Sequence, residues 1–301
     1  ERAVGINRLW AYLGGLWCGV GGVLLLVGVG GVAGPLLVTL GSLWLVIIFV
    51  KFLRQHLALH TGFMAAGALS WLVGCLLWLC GQMVFQVVWW WMGFLVFTIA
   101  GERLELSRAM RPSRATQRLF VIAGAVLAAG VALSVFSPDL GVRVSGAGLL
   151  ALAAWLLRYD LARRTVRMAG LTRFIAVCLL GGYFWLAFAG AIALGYGFIP
   201  AGPVYDALLH AVFLGFVISM IFGHAPVIFP AVLNITLNYR PALYVPLVLL
   251  HASLILRVAG DFAALRWARL GGGLLNAIAI LGYFGLMTGQ YLVRKKSGGK
   301  G

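Results

Sequence analysis

The sequence predicts an all-α fold, a polytopic bundle of about ten transmembrane helices. Hydrophobic residues make up 63% of the 301 residues and charged residues only 10%, whereas soluble chains are about 45–50% apolar and about 25% charged. Apolar runs of about 20 residues recur along the chain, and each can cross a hydrocarbon core of about 30 Å as a helix. Residues 149–157 and 243–256 do not alternate polar with apolar side chains, as the strands of a membrane barrel would.

Turn and loop residues separate the apolar segments. Gly, Pro and charged residues mark the breaks, for example in Ser137-Pro138-Asp139 and in the charged stretch 101–118. The predicted spans are residues 9–30, 35–53, 58–79, 83–101, 118–136, 142–160, 171–195, 205–228, 241–259 and 268–293. No intervening stretch is long enough for an extramembrane domain, so residues 1–301 are predicted to form a single integral membrane domain.

The distribution of Lys and Arg predicts the orientation, because cytoplasmic loops are enriched in these residues. With the N-terminus in the cytoplasm, the outer loops hold only Arg143, Arg257, Arg266 and Arg269 of the 23 basic residues. A missed or additional span would scramble this segregation. The sequence therefore predicts a multi-pass protein of the cell (inner) membrane, with both termini cytoplasmic and the lipid bilayer as its first partner.

The composition also excludes several classes of function. The formal net charge is +16, but the basic residues lie in short loops between apolar spans, so no nucleic-acid partner is indicated. The four cysteines lie inside predicted spans or directly after one, without CxxC spacing, which indicates neither a disulfide framework nor a zinc site. The chain has no Gly-rich phosphate loop, nucleophile elbow or HExxH motif, so no bond-making reaction is indicated.

Histidines are the residues best suited to carry chemistry. All five lie in predicted spans or at their ends: His56, His60, His210, His224 and His251. Imidazole in a bilayer is costly unless it is paired or binds a metal, and neutral imidazole is a common ligand of haem iron and copper. For each histidine alone, a hydrogen-bonded or interfacial role is the alternative.

The spacing of two histidines suggests a cofactor. His210 and His224 lie on one predicted helix, and the 14 residues that separate them turn through about 1400°, about 40° short of four full turns. Both rings are therefore predicted to face nearly the same side, close to opposite leaflets. Cytochrome b-type proteins hold two stacked haems with histidines at a similar interval, although one such spacing also arises by chance.

The predicted depths of the histidines in the bilayer place other histidines at the levels of His210 and His224. His210 and His251 fall in the outer leaflet, where they could share a metal centre. His56 and His60 are four residues apart on one helical face, at about the level of His224, and an inner cluster is the corresponding expectation.

Other features of the same region leave two interpretations open. Pro226 and Pro230 free backbone carbonyls that need another donor in lipid, so a broken helix could mark a functional site or could simply end the span. Small residues could bring helices close together or leave room for a flat macrocycle. The glycines in question include Gly181, Gly182 and Gly215.

One segment resembles a known family. The stretch from Asp206 to Asp261 contains His210-Ala211, Gly215, Met220, Gly223-His224-Ala225-Pro226 and Leu256-Arg257-Val258-Ala259. In these residues it resembles the C-terminal half of NnrS-type membrane proteins, which contain haem and copper, are linked to nitric oxide metabolism and are similar to haem-copper oxidase subunit I. The family usually has about twelve spans and an early His-x-His-Glu stretch, whereas this chain has about ten spans and His56-x-x-x-His60.

The resemblance implies binding of b-type haem through histidines, with His210 as the best-matched position. It implies one or two haems, leaves copper as a further cofactor, and connects the chain to nitric oxide or respiratory metabolism. Electron transfer to or from quinone or a respiratory partner subunit is the leading hypothesis, and His210, His224, His251 and His60 are the candidate axial ligands. A metal or small-solute transporter and a scaffold subunit of a larger complex remain the alternatives, and a homo-oligomer stays open.

Overall fold

The computed structural model describes residues 9–55, 57–233 and 239–298. Within these residues the regular secondary structure is helical throughout. Ten of the described helical segments are long and apolar enough to cross a membrane. The predicted all-α bundle and the predicted number of candidate spans are therefore confirmed for the described part of the chain.

The helices follow the apolar segments of the sequence. Their bounds are α1 (Leu13–Val27), α2 (Ala33–Gln55), α3 (Leu59–Leu79), α4 (Val84–Ser107), α5 (Arg114–Leu133), α6 (Pro138–Tyr159), the short α7 (Ala162–Thr165), α8 (Gly170–Tyr196), α9 (Pro203–His210), α10 (Ser219–Leu233), α11 (Tyr244–Phe262) and α12 (Arg266–Gly298). A π-helical segment, Ala211–Ile218, joins α9 to α10, and the three together form one candidate span.

The fourth span is longer than the sequence predicted. Its predicted end at residue 101 is wrong, because α4 continues to Ser107 and a 3-10 turn follows to Met110. Charged residues near the end of α4 look like a loop in the sequence, but one face of the helix stays buried, with Leu104 4% exposed and Ser107 fully buried. The buried face keeps the chain helical beyond the first charged residue.

The eighth span is not broken at its prolines. The predicted end at residue 228 is wrong, because α10 runs through Pro226 and Pro230 to Leu233. Pro226 has no N–H to donate to the carbonyl of Phe222 one turn earlier. The hydroxyl of Tyr283 on α12 donates to that carbonyl instead, at 2.6 Å, and the rings of Tyr283 and Phe222 stack 3.8 Å apart. The helix therefore continues because a tyrosine replaces the missing donor.

Contacts divide the chain into two compact units, Glu1–Gly148 and Leu149–Gly301. The N-terminal unit contains α1 to α5, and its helices approach through small residues. A Cβ atom at Gly21 would lie 2.8 Å from the carbonyl oxygen of Gly34, and one at Gly67 would lie 2.9 Å from that of Phe94. Such backbone-to-backbone packing is typical of membrane helices, where apolar side chains gain little by leaving lipid.

The C-terminal unit contains α8 to α12 and has larger side chains in its core. Phe174, Phe222, Leu247 and Tyr283 belong to one buried cluster that joins α8, α10, α11 and α12. Three of the five histidines lie in this unit, and it also encloses polar and charged side chains, including a fully buried carboxylate. These features make the C-terminal unit the candidate location of a functional site.

Candidate cofactor site

The structure distributes the predicted histidines between the two units. His60 lies in the N-terminal unit, and His210, His224 and His251 lie in the C-terminal unit. His56 lies outside the described residues. Among the residues that are described, no three His, Cys, Asp or Glu side chains form a group that could hold a metal ion.

His210 has its ring oriented by the backbone of its own helix. Its Nδ1 lies 2.8 Å from the carbonyl oxygen of Asp206, and this oxygen can only accept. Nδ1 therefore carries the proton, and Nε2 of the neutral ring carries the lone pair. In metal-binding histidines, the ring nitrogen that does not bind the metal usually donates its N–H to an acceptor in this way. That hydrogen bond fixes the tautomer and the ring orientation. The side chain is 22% exposed, so its outer edge remains accessible.

His224 repeats the same local geometry on α10. Its Nδ1 lies 2.7 Å from the carbonyl oxygen of Met220, again four residues earlier. Nε2 is therefore the nitrogen with the lone pair in the neutral ring. The two histidines of this span are alike in tautomer, and both have the form that an axial ligand requires.

The π-helical segment changes how these two rings face. Ala211–Ile218 lies between them, and a π turn takes one more residue than an α turn, which shifts the following residues by about 100°. The interval between His210 and His224 then corresponds to about 13 α-helical residues and places the rings about 140° apart. The predicted same-side arrangement assumed a uniform α-helix between the histidines, and the π-helical segment departs from that assumption.

His251 on α11 has the opposite tautomer. The indole N–H of Trp185 on α8 donates to His251 Nδ1 at 3.0 Å, so Nδ1 must carry the lone pair and Nε2 of the neutral ring must carry the proton. Nε2 is buried, has no hydrogen-bond partner among the described residues, and faces Gly181, where a Cβ atom would lie 2.9 Å away. Ligation through Nε2 requires the bond from Trp185 to break.

The glycines of this region serve helix packing. A Cβ atom at Gly181 would meet His251, one at Gly182 would meet Met220, and one at Gly215 would meet Trp185. The space beside each of these glycines is therefore filled by a side chain of a neighbouring helix. The interface of α8 with the π-helical segment offers no room for a macrocycle beside these three residues.

A charged network lies beside His210. Arg257 on α11 makes a bidentate contact with the Asp206 carboxylate, with Nε and Nη2 each donating at 3.1 Å. Its Nη1 donates to the carbonyl oxygen of Arg269 at 3.1 Å. Arg269 in turn forms an ion pair with Asp261, whose side chain is fully buried. The start of α9, the end of α11 and the start of α12 thus meet around two arginines and two carboxylates.

Glycines of α12 create the passage for Arg257. A Cβ atom at Gly272 would lie 2.7 Å from the backbone nitrogen of Arg257, and Gly273 faces its guanidinium group. A larger residue at Gly273 would push against the guanidinium, and one at Gly272 would push against the backbone of α11. The glycine pair therefore positions the charged network.

The sequence signal for this network was present but was assigned to topology. Arg257 and Arg269 are among the predicted outer-loop charges, whereas Asp206 and Asp261 enter the sequence-based prediction only as the bounds of one segment. Two of the few acidic residues and two of the four predicted outer arginines thus fall at the ends of successive spans. Pairing such rare charges by membrane depth could have found the network.

His60 has a different environment from the other described histidines. It lies near the start of α3, and its Nε2 is 3.7 Å from a carboxylate oxygen of Glu105 near the end of α4. This nitrogen, which would bind iron, is thus directed toward a carboxylate. His60 ranks below His210 and His224 as an axial ligand for this reason.

Comparison with protein families gives one match. The family model described as "Domain of unknown function (DUF8744)" matches residues 1–291, and the chain belongs to this family. No curated protein and no solved structure matches the chain.

Proposed function

We propose that this member of the DUF8744 family binds haem b in a bilayer and transfers electrons, with His210 as the leading axial ligand and His224 as the second. The observation that supports it best is the shared geometry of the two histidines. Both donate Nδ1–H to a carbonyl four residues earlier, so both hold Nε2 as the lone-pair nitrogen. His251 and His60 stay lower-ranked predictions, because a donor and a carboxylate occupy their ring nitrogens.

The residues around His210 fit the needs of such a site. The Asp206 carbonyl fixes the imidazole ring, and Arg257 and Arg269 bring positive charge close to it. Arginine recognises carboxylates well, and haem carries two propionates. When bound, haem supplies one-electron chemistry at its iron, and the protein sets its potential through axial ligands, hydrogen bonds and burial.

The transporter alternative receives less support. It depended on carbonyls freed by the prolines of α10, and the carbonyl freed by Pro226 accepts from Tyr283. The Tyr283 hydroxyl therefore already satisfies part of the bonding capacity that the proline frees. Copper is the alternative metal for the same nitrogen lone pairs, and quinone or a respiratory subunit is the redox partner that this function needs.

A reduced-minus-oxidised visible spectrum of the purified protein, with a pyridine haemochrome assay, tests the proposal. We expect a b-type α-band that His210→Ala removes or strongly reduces, and that added imidazole restores by replacing the missing ligand. His224→Ala should remove a second component if two haems are bound. His251→Gln is the matched control, because it changes a buried histidine with the non-ligating tautomer and should leave the spectrum intact.

Other outcomes of the same experiments would contradict haem binding or the ligand assignment. A flat spectrum from protein expressed with ample haem would contradict haem binding, and metal analysis of the same sample would then test copper. Loss of the band in His251→Gln, but not in His210→Ala, would overturn the ligand assignment. Retention of the native elution volume in size-exclusion chromatography separates loss of haem from loss of fold.

The proposed orientation places both termini in the cytoplasm of a cell (inner) membrane. It rests on the distribution of basic residues, with Arg163, Arg164 and Arg167 in an inner loop and Arg143 at an outer end. Single cysteines introduced at Arg164 and Arg143 in a cysteine-free background should differ in labelling by an impermeant thiol reagent in intact cells. Labelling at position 164 without labelling at 143 would reverse the orientation.

A further inference from the structure

We propose that the N-terminal unit holds one anionic phospholipid in a cleft between α3 and α5, with the phosphate at an arginine cluster and an acyl chain in an adjoining apolar groove. This site is separate from the histidines of the C-terminal unit and does not depend on haem binding. The cleft is defined by three neighbouring cavities that all border Leu59 at the start of α3.

The apolar part of the cleft is a groove of about 610 Å³. It is lined by apolar residues of α3 and α5, including the small residues Gly62, Ala66, Gly124, Ala125 and Ala128. A Cβ atom at Gly62 would meet no atom within 4 Å, so the groove is open at this point. Its volume lies within the range of about 300–1,000 Å³ that is typical of ligand sites.

The polar part of the cleft lies at one end of this groove. A cavity of about 270 Å³ is lined by His60, Arg108 and Gln117, and a second of about 450 Å³ by Arg114, Gln117 and Arg118. The three arginines are exposed, neither cavity has an acidic lining residue, and the carboxylate of Glu105 beside His60 offsets only one of the three positive charges. The end of the groove therefore carries positive charge beside hydrogen-bond donors.

The positive charge of the cleft favours an amphiphile with an anionic headgroup. A quinone has an apolar tail but a neutral head, so three arginines would give it little advantage. A phosphate diester carries the negative charge that arginine recognises through paired N–H donors. Basic pockets between helices on the cytoplasmic side are also where anionic headgroups bind, and each Lys or Arg near the surface contributes about 1 kcal/mol. The distribution of Lys and Arg along the chain predicts that residues 108–118 lie on the cytoplasmic side.

Native mass spectrometry of delipidated protein in detergent tests the site. The probes are phosphatidylglycerol, phosphatidylcholine and inorganic phosphate, each titrated separately. We expect one phosphatidylglycerol to be retained at concentrations at least about tenfold below those needed for phosphatidylcholine, because only the former has a net negative headgroup. Equal retention of the two lipids would overturn the proposal.

Two pairs of variants locate the lipid. Arg114→Gln with Arg118→Gln should weaken phosphatidylglycerol binding about tenfold, whereas Arg164→Gln with Arg167→Gln removes the same charge elsewhere and should not. Gly62→Leu should block the acyl groove, whereas Gly19→Leu, at an exposed glycine that likewise has no atom within 4 Å of its Cβ position, should leave binding unchanged. Unaltered binding in Gly62→Leu, or full displacement of the lipid by inorganic phosphate, would contradict the site.

Discussion

Each unit of the chain buries charge, with Arg103 4% exposed in the N-terminal unit, but an exposed ion pair of one unit contrasts with a buried pair of the other. In the N-terminal unit, helices meet through glycine, as at Gly21 and Gly34, and the ion pair of Asp139 with Arg143 is largely exposed. In the C-terminal unit, Arg257 and Asp206 are mostly buried and Asp261 is fully buried. Burying charge in a membrane is costly, so it persists where it serves a purpose. The buried pairs of the C-terminal unit therefore mark the surroundings of His210 as a candidate site.

The largest expected effect comes from breaking the buried charge network. Arg257→Met leaves the Asp206 carboxylate without its bidentate partner and should lower the free energy of unfolding by about 3 kcal/mol. This is the lower end of the range for buried pairs, because Asp206 is 25% exposed. Arg143→Met in the N-terminal unit should cost less than about 1 kcal/mol. Thermal unfolding in detergent measures both, and equal losses would contradict the contrast between the units.

The next effect concerns the proline of α10. Tyr283→Phe keeps the stacked ring but removes the donor to the Phe222 carbonyl, which should cost about 1–3 kcal/mol in a site without water. Pro226→Ala restores a backbone N–H that can donate to the same carbonyl. The tyrosine change should therefore cost much less in the Pro226→Ala background. A double-mutant cycle measures this coupling, and additive losses would show that the hydroxyl does not replace the missing amide.

A comparable effect tests the glycine packing of the N-terminal unit. Gly21→Val would push side-chain carbons against the Gly34 carbonyl and should cost about 1–3 kcal/mol through overpacking. Gly19→Val lies two residues away on the same helix, where nothing stands within 4 Å of a Cβ atom. Its unfolding temperature should stay close to that of the parent protein. A similar loss in both variants would indicate a general effect of valine in α1.

The smallest effect compares two buried serines. The Ser253 hydroxyl lies 2.6 Å from Asn276 Oδ1 on a neighbouring helix and 2.6 Å from the Leu249 carbonyl of its own helix, whereas Ser107 donates to the Leu104 carbonyl within its own turn. Interhelical hydrogen bonds in membranes average about 0.6 kcal/mol, so Ser253→Ala should lose about that much. Ser107→Ala should lose less, and urea or detergent titration of the two variants side by side resolves the difference.

Hydropathy was sufficient to predict most of the fold. Apolar length alone located all ten candidate spans in the described chain, because a bilayer imposes one length on every helix. The end of α4 was missed because a charged residue lowers hydropathy even when a neighbouring face, with Leu104, stays buried. The π-helical segment was missed because its apolar residues carry no signal that distinguishes i+5 from i+4 pairing.

The site was only partly predictable for a different reason. His210 and His224 were identified because chemistry-bearing residues are rare in an apolar chain. Their tautomers could also be inferred, since both partners lie four residues earlier on the same helix. The state of His251 depends on Trp185, 66 residues away, and the charge on Arg257 is balanced by Asp206, 51 residues away. Such pairs follow from the arrangement of helices, which a single sequence does not contain.

The replacement of a backbone donor by Tyr283 has a consequence for biogenesis. Translation and insertion proceed from the N-terminus, so the span with Pro226 enters the bilayer before α12 has been synthesised. Until α12 arrives, the Phe222 carbonyl has neither the amide that proline lacks nor the hydroxyl that replaces it. A nascent chain that has inserted α10 but not α12 is therefore incomplete in bonding, and α12 completes the span that contains α10.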